Sequence, residues 1–244
     1  MSYGSLSHEQ ARFFRNQGYF RLPDVFTRNE TSTLRSFVST EAATVTQPQP
    51  DNPNNKLYRL YERNPDLMEQ VIRKEKLVGA LVSLLGPNIV FVQNRHNHAT
   101  LNSQQGAPTE GLHRDILQPT RGLITAAVYL QAATVENGAT RFIPGSQDFP
   151  YVGVPQQNGG GTWLAEHEEY AGLEDQAIPV PMEEGSVLLF NGLAFHGVGG
   201  NVSGKPRMSM TLGFRSVDEL SANPDIDREV LVTGQYIYRG NDIA

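Results

Sequence analysis

The sequence predicts a mainly β domain, an all-β sandwich or barrel with N-terminal helices braced against one face. Three observations predict it. Residues 1–86 carry repeated helix-start signals followed by apolar residues at helical spacing. From Pro87 onward the chain breaks into short segments rich in β-branched and aromatic residues, each bounded by Gly, Pro, Asn or Asp. Long helical patterns are scarce in that second part, and many short strands with turn signals between them pack as a sandwich or barrel.

In "SLSHEQARFFRNQGYF", Ser7 and Gln10 form a capping box, apolar residues recur at helical spacing, and Gly18 ends the helix. Thr27 and Glu30 repeat the device ahead of "TSTLRSFVSTEAA". The Pro- and Asn-rich "TQPQPDNPNNK" excludes a continuing helix. Asn64-Pro65 supplies a cap and a first-turn proline for "DLMEQVIRKEKLVGALVSLLG", which is expected to break in the middle. "NIVFVQNRHNH", "LITAAVYL", "TRFIPG", "GSVLLFN" and "RMSMTLGF" then read as strands. "NGGGTW" (158–163) reads as a flexible loop, because no lysine or helix start follows to make it a phosphate cradle. A chain of 244 residues suits one larger domain or two small ones. The expected organisation is a single domain, with 1–86 as the helical brace and 87–244 as the β core.

Composition narrows the function. A net charge of −6 offers no basic excess for phosphates, which argues against a nucleic-acid partner. With 0 cysteines there is no disulfide framework, thiolate metal site or cysteine nucleophile, so a transition-metal site must use His and carboxylates. No basic-then-apolar leader opens the chain, and no run approaches the roughly 18 apolar residues of a membrane span. The expectation is a cytoplasmic protein with no membrane partner.

"TEGLHRDILQP" (109–119) places His113 and Asp115 two residues apart in a polar, Gly-flanked segment. Such a spacing arises by chance in about a quarter of chains like this one, so alone it says little. His167 and Glu169 share it within an acidic loop and read as a solvated surface feature. In "HNH", His96 and His98 would share a strand face with Asn94 and reach a pocket, although histidines satisfied by ordinary hydrogen bonds are the plainer reading. A second cluster, "SVLLFNGLAFHGVGGNVSGKPRMSMTLGF" (186–214), lifts His113 and Asp115 above chance. There His196 follows an apolar strand and a turn, and Arg207 opens the next strand. Two imidazoles and one carboxylate occupy one face of an octahedral ion and leave positions open, as in non-haem iron(II) oxygenases. Arg207 can hold a carboxylate in its guanidinium fork, and Ser209 on the same strand face can add a hydroxyl donor.

"LHRD", "VYLQAATVENGATRFIPGSQ", "GSVLLFNGLAFHGVGGN" and "PRMSMTLGF", with the opening "EQARFFRNQGYFRLPDVF", together resemble the phytanoyl-CoA dioxygenase family of iron(II)/2-oxoglutarate oxygenases over most of the chain. The resemblance implies a double-stranded β-helix, a cupin-like jelly roll. It implies that His113, Asp115 and His196 hold Fe(II), and that Arg207 and Ser209 bind the far carboxylate of 2-oxoglutarate. Thr140 in "ENGAT" would face the co-substrate, with Asn94 a further candidate from the strand-face argument. The implied reaction consumes O2, releases succinate and CO2, and hydroxylates an unactivated carbon. Related halogenases replace the carboxylate with a small residue, so Asp115 implies no halogenation. Leu112 and Arg114 stand where the family often has tryptophan and glutamine, and Gln147 where histidine is common. These departures are expected to reshape the pocket mouth.

The expected substrate is a small metabolite or natural-product intermediate, since no long basic patch for a CoA phosphate is evident. The N-terminal helices and the loops 99–111 and 155–175 are the expected walls. Glu166, Glu168, Glu169, Glu174 and Asp175 in the second loop would favour a cationic substrate if they faced the pocket, but read more simply as solvated. Arg59 likewise reads as a surface charge beside a helix rather than a pocket cation. Two other readings stand beside the oxygenase: a cupin-like metal enzyme without 2-oxoglutarate, and a non-catalytic jelly-roll binding protein.

Overall fold

The computed structural model describes residues 5–45, 56–102, 110–117, 122–150, 162–170, 172–219 and 226–236. Helix α1 (His8–Gln17) begins at the expected capping box and ends at Gly18, whose left-handed backbone returns its N–H to the Phe14 carbonyl. Strand β1 (Tyr19–Leu22) follows at once. Helix α2 (Arg28–Thr44) starts at the second capping box, on Thr27 and Glu30. After β2 (Lys56–Tyr58) and the single turn α3 (Leu60–Arg63), the Asn64 side chain accepts from the Leu67 N–H to start α4 (Pro65–Ile72). The expected break falls at residues 73–74, before α5 (Glu75–Leu85).

The β region supplies β3 (Ile89–Val92), β4 (Asn97–Asn102), β5 (Ile124–Tyr129), β6 (Thr140–Phe142), β7 (Ile178–Pro179), β8 (Val187–Asn191), β9 (His196–Val198), β10 (Arg207–Ser216) and β11 (Glu229–Thr233). The larger sheet runs β1-β8-β5-β10. Beyond β5, the long β10 meets β4 along Arg207–Leu212 and β3 along Phe214–Ser216; β2 then joins β4, and β11 joins β3. The smaller sheet is β7-β6-β9, and His113 extends it by bridging His196. All the described ladders are antiparallel. Two facing sheets of this kind are the jelly roll that the resemblance implied.

Strand alternation divides the packing. Ile124, Ala126 and Val128 of β5 join Val187, Leu189, Met210, Leu212 and Phe214 in a core that also takes Leu34, Leu60, Met68, Ile72, Leu77 and Leu81 from the helical part. Burying each such side chain contributes about 1.5–3 kcal/mol, so the helices are fixed to the outer face of the larger sheet. The intervening residues of β5 face the smaller sheet. Sequence reading missed β1 and β2, so residues 1–86 do more than brace: β1 pairs with β8 and β2 with β4. Both strands are 3–4 residues long, too short for alternation to be legible. Among the described residues, no helix is long and apolar enough to cross a membrane.

Besides the β1 and β2 pairings, a backbone contact at Gly185 ties the helical part to the sheet. The Gly185 carbonyl accepts from both Val25 and Phe26, at 3.0 and 2.8 Å. Gly185 has φ +82°, and a Cβ there would meet the Phe26 carbonyl oxygen at 2.2 Å. Gly172 has a similar φ of +84°, but a Cβ there would meet no atom within 4 Å. Gly172→Ala is therefore expected to lose about 1 kcal/mol and Gly185→Ala about 3 kcal/mol in urea unfolding. Equal losses would mean that the contact is not a constraint.

Candidate active site

Strand alternation and register together build one wall of a cavity between the sheets. Ser209 of β10 sits opposite Tyr129 of β5 on one side and Thr100 of β4 on the other, and Thr100 sits opposite Lys56 of β2. Two residues along, Thr211 sits between Ala127 and His98. All of these line the cavity, joined by Arg207, Thr140, Phe190, Val198, His96 and Glu110. His113, Asp115 and His196 close the opposite wall.

The triad is brought together by backbone pairing. His113 donates its N–H to the His196 carbonyl at 2.8 Å and accepts from the His196 N–H at 3.0 Å. The Asp115 N–H reaches the Gly192 carbonyl at 2.7 Å. One imidazole or carboxylate atom from each of the three residues lies within 4.8 Å of the others. His113 Nε2 is 4.0 Å from Asp115 Oδ1, and His196 Nε2 is 3.7 Å from Oδ2. His196 Nδ1 lies 2.9 Å from the Ala194 carbonyl and His113 Nδ1 3.3 Å from the Gly111 carbonyl. A carbonyl can only accept, so each Nδ1 carries the proton and each Nε2 lone pair is left facing the cluster. Phe142 and Phe190 pack against the His196 ring and keep its plane.

The electrostatics suit a cation. Burial by itself would raise the Asp115 carboxyl, but His96, His196 and His113 outweigh it and hold the group well below the usual carboxylate range. Thr125 adds a hydroxyl donor to Oδ2 at 3.1 Å. Burial pushes His196 down to about 4 and His98 down to about 3, the latter helped by Lys56 and His96. Both are neutral imidazoles near neutral pH, the form that ligates metals.

Arg207 makes the second half of the site. It is 2% exposed, and its Nε and Nη2 have no hydrogen-bond partner. Burial lowers its pKa, with Tyr129 and Glu110 opposing, but a guanidinium stays charged. A buried cation with two idle N–H groups is costly by several kcal/mol and calls for an anion with paired oxygens. Ser209 shares its strand face, and the Tyr129 hydroxyl meets the Thr140 hydroxyl at 2.8 Å beside it. Sequence reading missed Tyr129. Its only signal was its place on the same face as Ala127 in a strand beside β10, which needs the pairing to be known.

Other expectations resolve differently. Asn94 is exposed and does not line the cavity. It shares no strand face with His96 and His98, because β3 stops at Val92 and residues 93–96 turn, with His96 at φ 55°. His96 and His98 nonetheless both line the cavity, so neither is merely an ordinary core histidine. His167 is buried against Tyr170 and Phe195, not solvated, because the short turns at 164–170 fold back over Phe195. Glu169 is exposed, as are Glu166, Glu168, Glu174 and Asp175, and none lines the cavity. Arg59 is exposed at the start of α3. Leu112 packs with Ile143, Leu164 and Phe195, and Arg114 bonds the Ser146 and Phe149 carbonyls with its guanidinium 4.2 Å from the Phe195 ring centre. Gln147 donates to the Arg15 carbonyl at the end of α1. None of the three lines the cavity; they brace the fold around it. Of the expected walls, residues 103–109 and 155–161 fall outside the described residues; Glu110 and Trp163 from their ends stand at the site, Trp163 with its ring centre 4.9 Å from that of His113.

The two depressed histidines set a pH dependence. Between about pH 6.5 and pH 4 the unfolded chain takes up protons that folded His196 and His98 refuse, so stability falls as pH falls through that window. Urea unfolding of the metal-free protein is expected to give a lower stability at about pH 5 than at about pH 7, and His98→Leu to narrow the gap. A flat profile would contradict this assignment.

Similarity to known proteins agrees with this geometry. The phytanoyl-CoA dioxygenase (PhyH) family profile matches residues 14–209. The dioxygenase ALT11 of Alternaria alternata is 34% identical over 125 residues, 47% of this chain but only 36% of that protein's length. An ectoine dioxygenase of Sphingopyxis alaskensis is 24% identical over 250 positions, covering 90% of this chain and 79% of its own. The crystal structure of SnoN, a non-haem α-ketoglutarate-dependent epimerase from nogalamycin biosynthesis, superposes with a TM-score of 0.72 at 16% identity, over 93% of this chain and 98% of that one. That likeness establishes the same fold. With the profile spanning His113, Asp115, His196 and Arg207, the chain belongs to the phytanoyl-CoA dioxygenase (PhyH) family.

Proposed function

We propose that the protein is an Fe(II)- and 2-oxoglutarate-dependent dioxygenase that hydroxylates an unactivated C–H bond of a small metabolite or natural-product intermediate. One observation carries the reading: a His-Asp-His cluster and a buried guanidinium with two idle N–H groups face the same cavity. A metal site alone would leave Arg207 without a partner, and a carboxylate pocket alone would leave the triad without an ion. Family membership and the dioxygenase activity for which ALT11 and the ectoine dioxygenase are named support it.

His113, Asp115 and His196 would hold the iron through two Nε2 atoms and one carboxylate oxygen. Arg207 would receive the far carboxylate of 2-oxoglutarate in its fork, with the Ser209 hydroxyl beside it. Burial keeps the Tyr129 hydroxyl protonated, so it can also donate. Bound iron with 2-oxoglutarate and O2 supplies the oxidising power for an unactivated carbon, releasing succinate and CO2. The protein's own contribution is placement and dryness: the apolar Ala127, Phe190 and Val198 line the cavity between the polar rows, and the histidine tautomers are set by backbone carbonyls before any ligand arrives. By the family resemblance Asp115 would fill the place that related halogenases leave open for a halide, so a chlorinated major product is not expected.

Arg207→Ala is expected to weaken 2-oxoglutarate binding about 10- to 100-fold and Arg207→Lys about 10-fold, since an ammonium cannot offer two parallel N–H groups. Anaerobic titration of the visible iron–2-oxoglutarate band and succinate release would both report it. Unchanged turnover in Arg207→Ala would favour a cupin-like enzyme that does not use 2-oxoglutarate. Metal binding with no succinate from any substrate would favour a binding protein.

A further inference from the structure

A third histidine stands behind the triad's carboxylate. His96 Nε2 lies 3.0 Å from Asp115 Oδ2. That atom is shielded from solvent and has no hydrogen-bond partner, so the contact has the distance of a hydrogen bond without its direction. His96 is not a member of the group whose ligand atoms converge within 4.8 Å, which argues against a fourth ligand. The carboxylate is also asymmetric. Oδ2 receives the Thr125 hydroxyl at 3.1 Å, faces His96 and lies 3.7 Å from His196 Nε2, whereas Oδ1 faces His113 Nε2 and takes no such donor among the described residues.

The backbone is arranged to hold that ring in place. His96 has φ 55°, a left-handed conformation that a residue with a side chain adopts at a cost. Its carbonyl accepts from the Gly213 N–H at 3.0 Å, and a Cβ on Gly213 would meet the Arg95 carbonyl oxygen at 2.5 Å. The glycine in β10 therefore lets the 93–96 turn lie close on the sheet. A strained turn, a glycine that admits it and an idle buried N–H at a carboxylate share one explanation.

We propose that His96 is a positioning residue: in the loaded site its Nε2–H would donate to Asp115 Oδ2, which with Thr125 fixes the rotation of the carboxylate and leaves Oδ1 free of other donors. This rests on the metal site proposed above. A carboxylate held by two donors binds through one oxygen, which keeps an adjacent position free for the co-substrate or O2.

The test compares full-length wild type with His96→Asn and His96→Gln. Asparagine tolerates the left-handed backbone but is too short to reach Asp115; glutamine keeps an N–H donor at about the reach of the imidazole. The chain has 1 tryptophan, and Trp163 is beside His113, so its fluorescence reports metal binding directly. Co(II) titrations, with the Co(II) visible spectrum recorded alongside, are expected to show binding 10- to 100-fold weaker for His96→Asn with an altered spectrum, and within about threefold of wild type for His96→Gln. Metal-free His96→Asn is expected to melt at or above the wild-type temperature, because the strain is relieved. Co(II) affinity and spectrum unchanged in His96→Asn would overturn the proposal, as would His96→Gln binding as poorly as His96→Asn. Failure of the wild type itself to bind Co(II) would remove the metal site on which the proposal rests.

Discussion

The reciprocal pair of backbone hydrogen bonds between His113 and His196 is the constraint on which the rest of the site depends. In an antiparallel pair, directly opposed residues project to the same face, so one register choice aims both imidazoles into the same space. A slip of one residue would send them to opposite sides of the smaller sheet. Asp115 then follows from alternation along the same segment, two residues on and held by Gly192. The site is thus set mainly by main-chain geometry, and the side chains need little adjustment to converge.

The facing wall obeys the same rule. Alternation within β4, β5 and β10 puts every second residue into the cavity and its neighbours into the helix-backed core. Each strand therefore serves two purposes with one pattern, and the helices matter to chemistry because they hold that wall flat against the core. Such a scheme depends on the pattern of apolar and polar positions more than on their identities. It is consistent with a shared fold at 16% identity to SnoN.

Electrostatically the site stores opposite charges apart. Asp115 is buried among imidazoles at one end, and Arg207 is buried with idle donors at the other. A protein optimised only for stability would pair or remove such groups. Keeping the two apart in one cavity, Asp115 among imidazoles and Arg207 with idle donors, means that a cation and a dianion can each bind against a group already desolvated. The turn at His96 belongs to the same logic, since local strain there coincides with an unsatisfied donor at the metal cluster.

What the sequence by itself determined was the local chemistry. Both capping boxes, the Asn64-Pro65 start, the break near residue 73 and the longer strands were legible because caps, prolines and alternation act within a few residues. His113, Asp115, His196, Arg207 and Ser209 were legible as motif residues, and Thr140 through the family resemblance. Only the tertiary structure decided which side chains share a cavity. It brought in Tyr129, His96, His98 and Lys56, excluded Asn94, and buried His167 in a loop that reads as solvated. The physical reason is that strand pairing and turn direction depend on partners distant in the chain: one residue of left-handed backbone at His96 undid a strand-face argument that was sound for a straight strand.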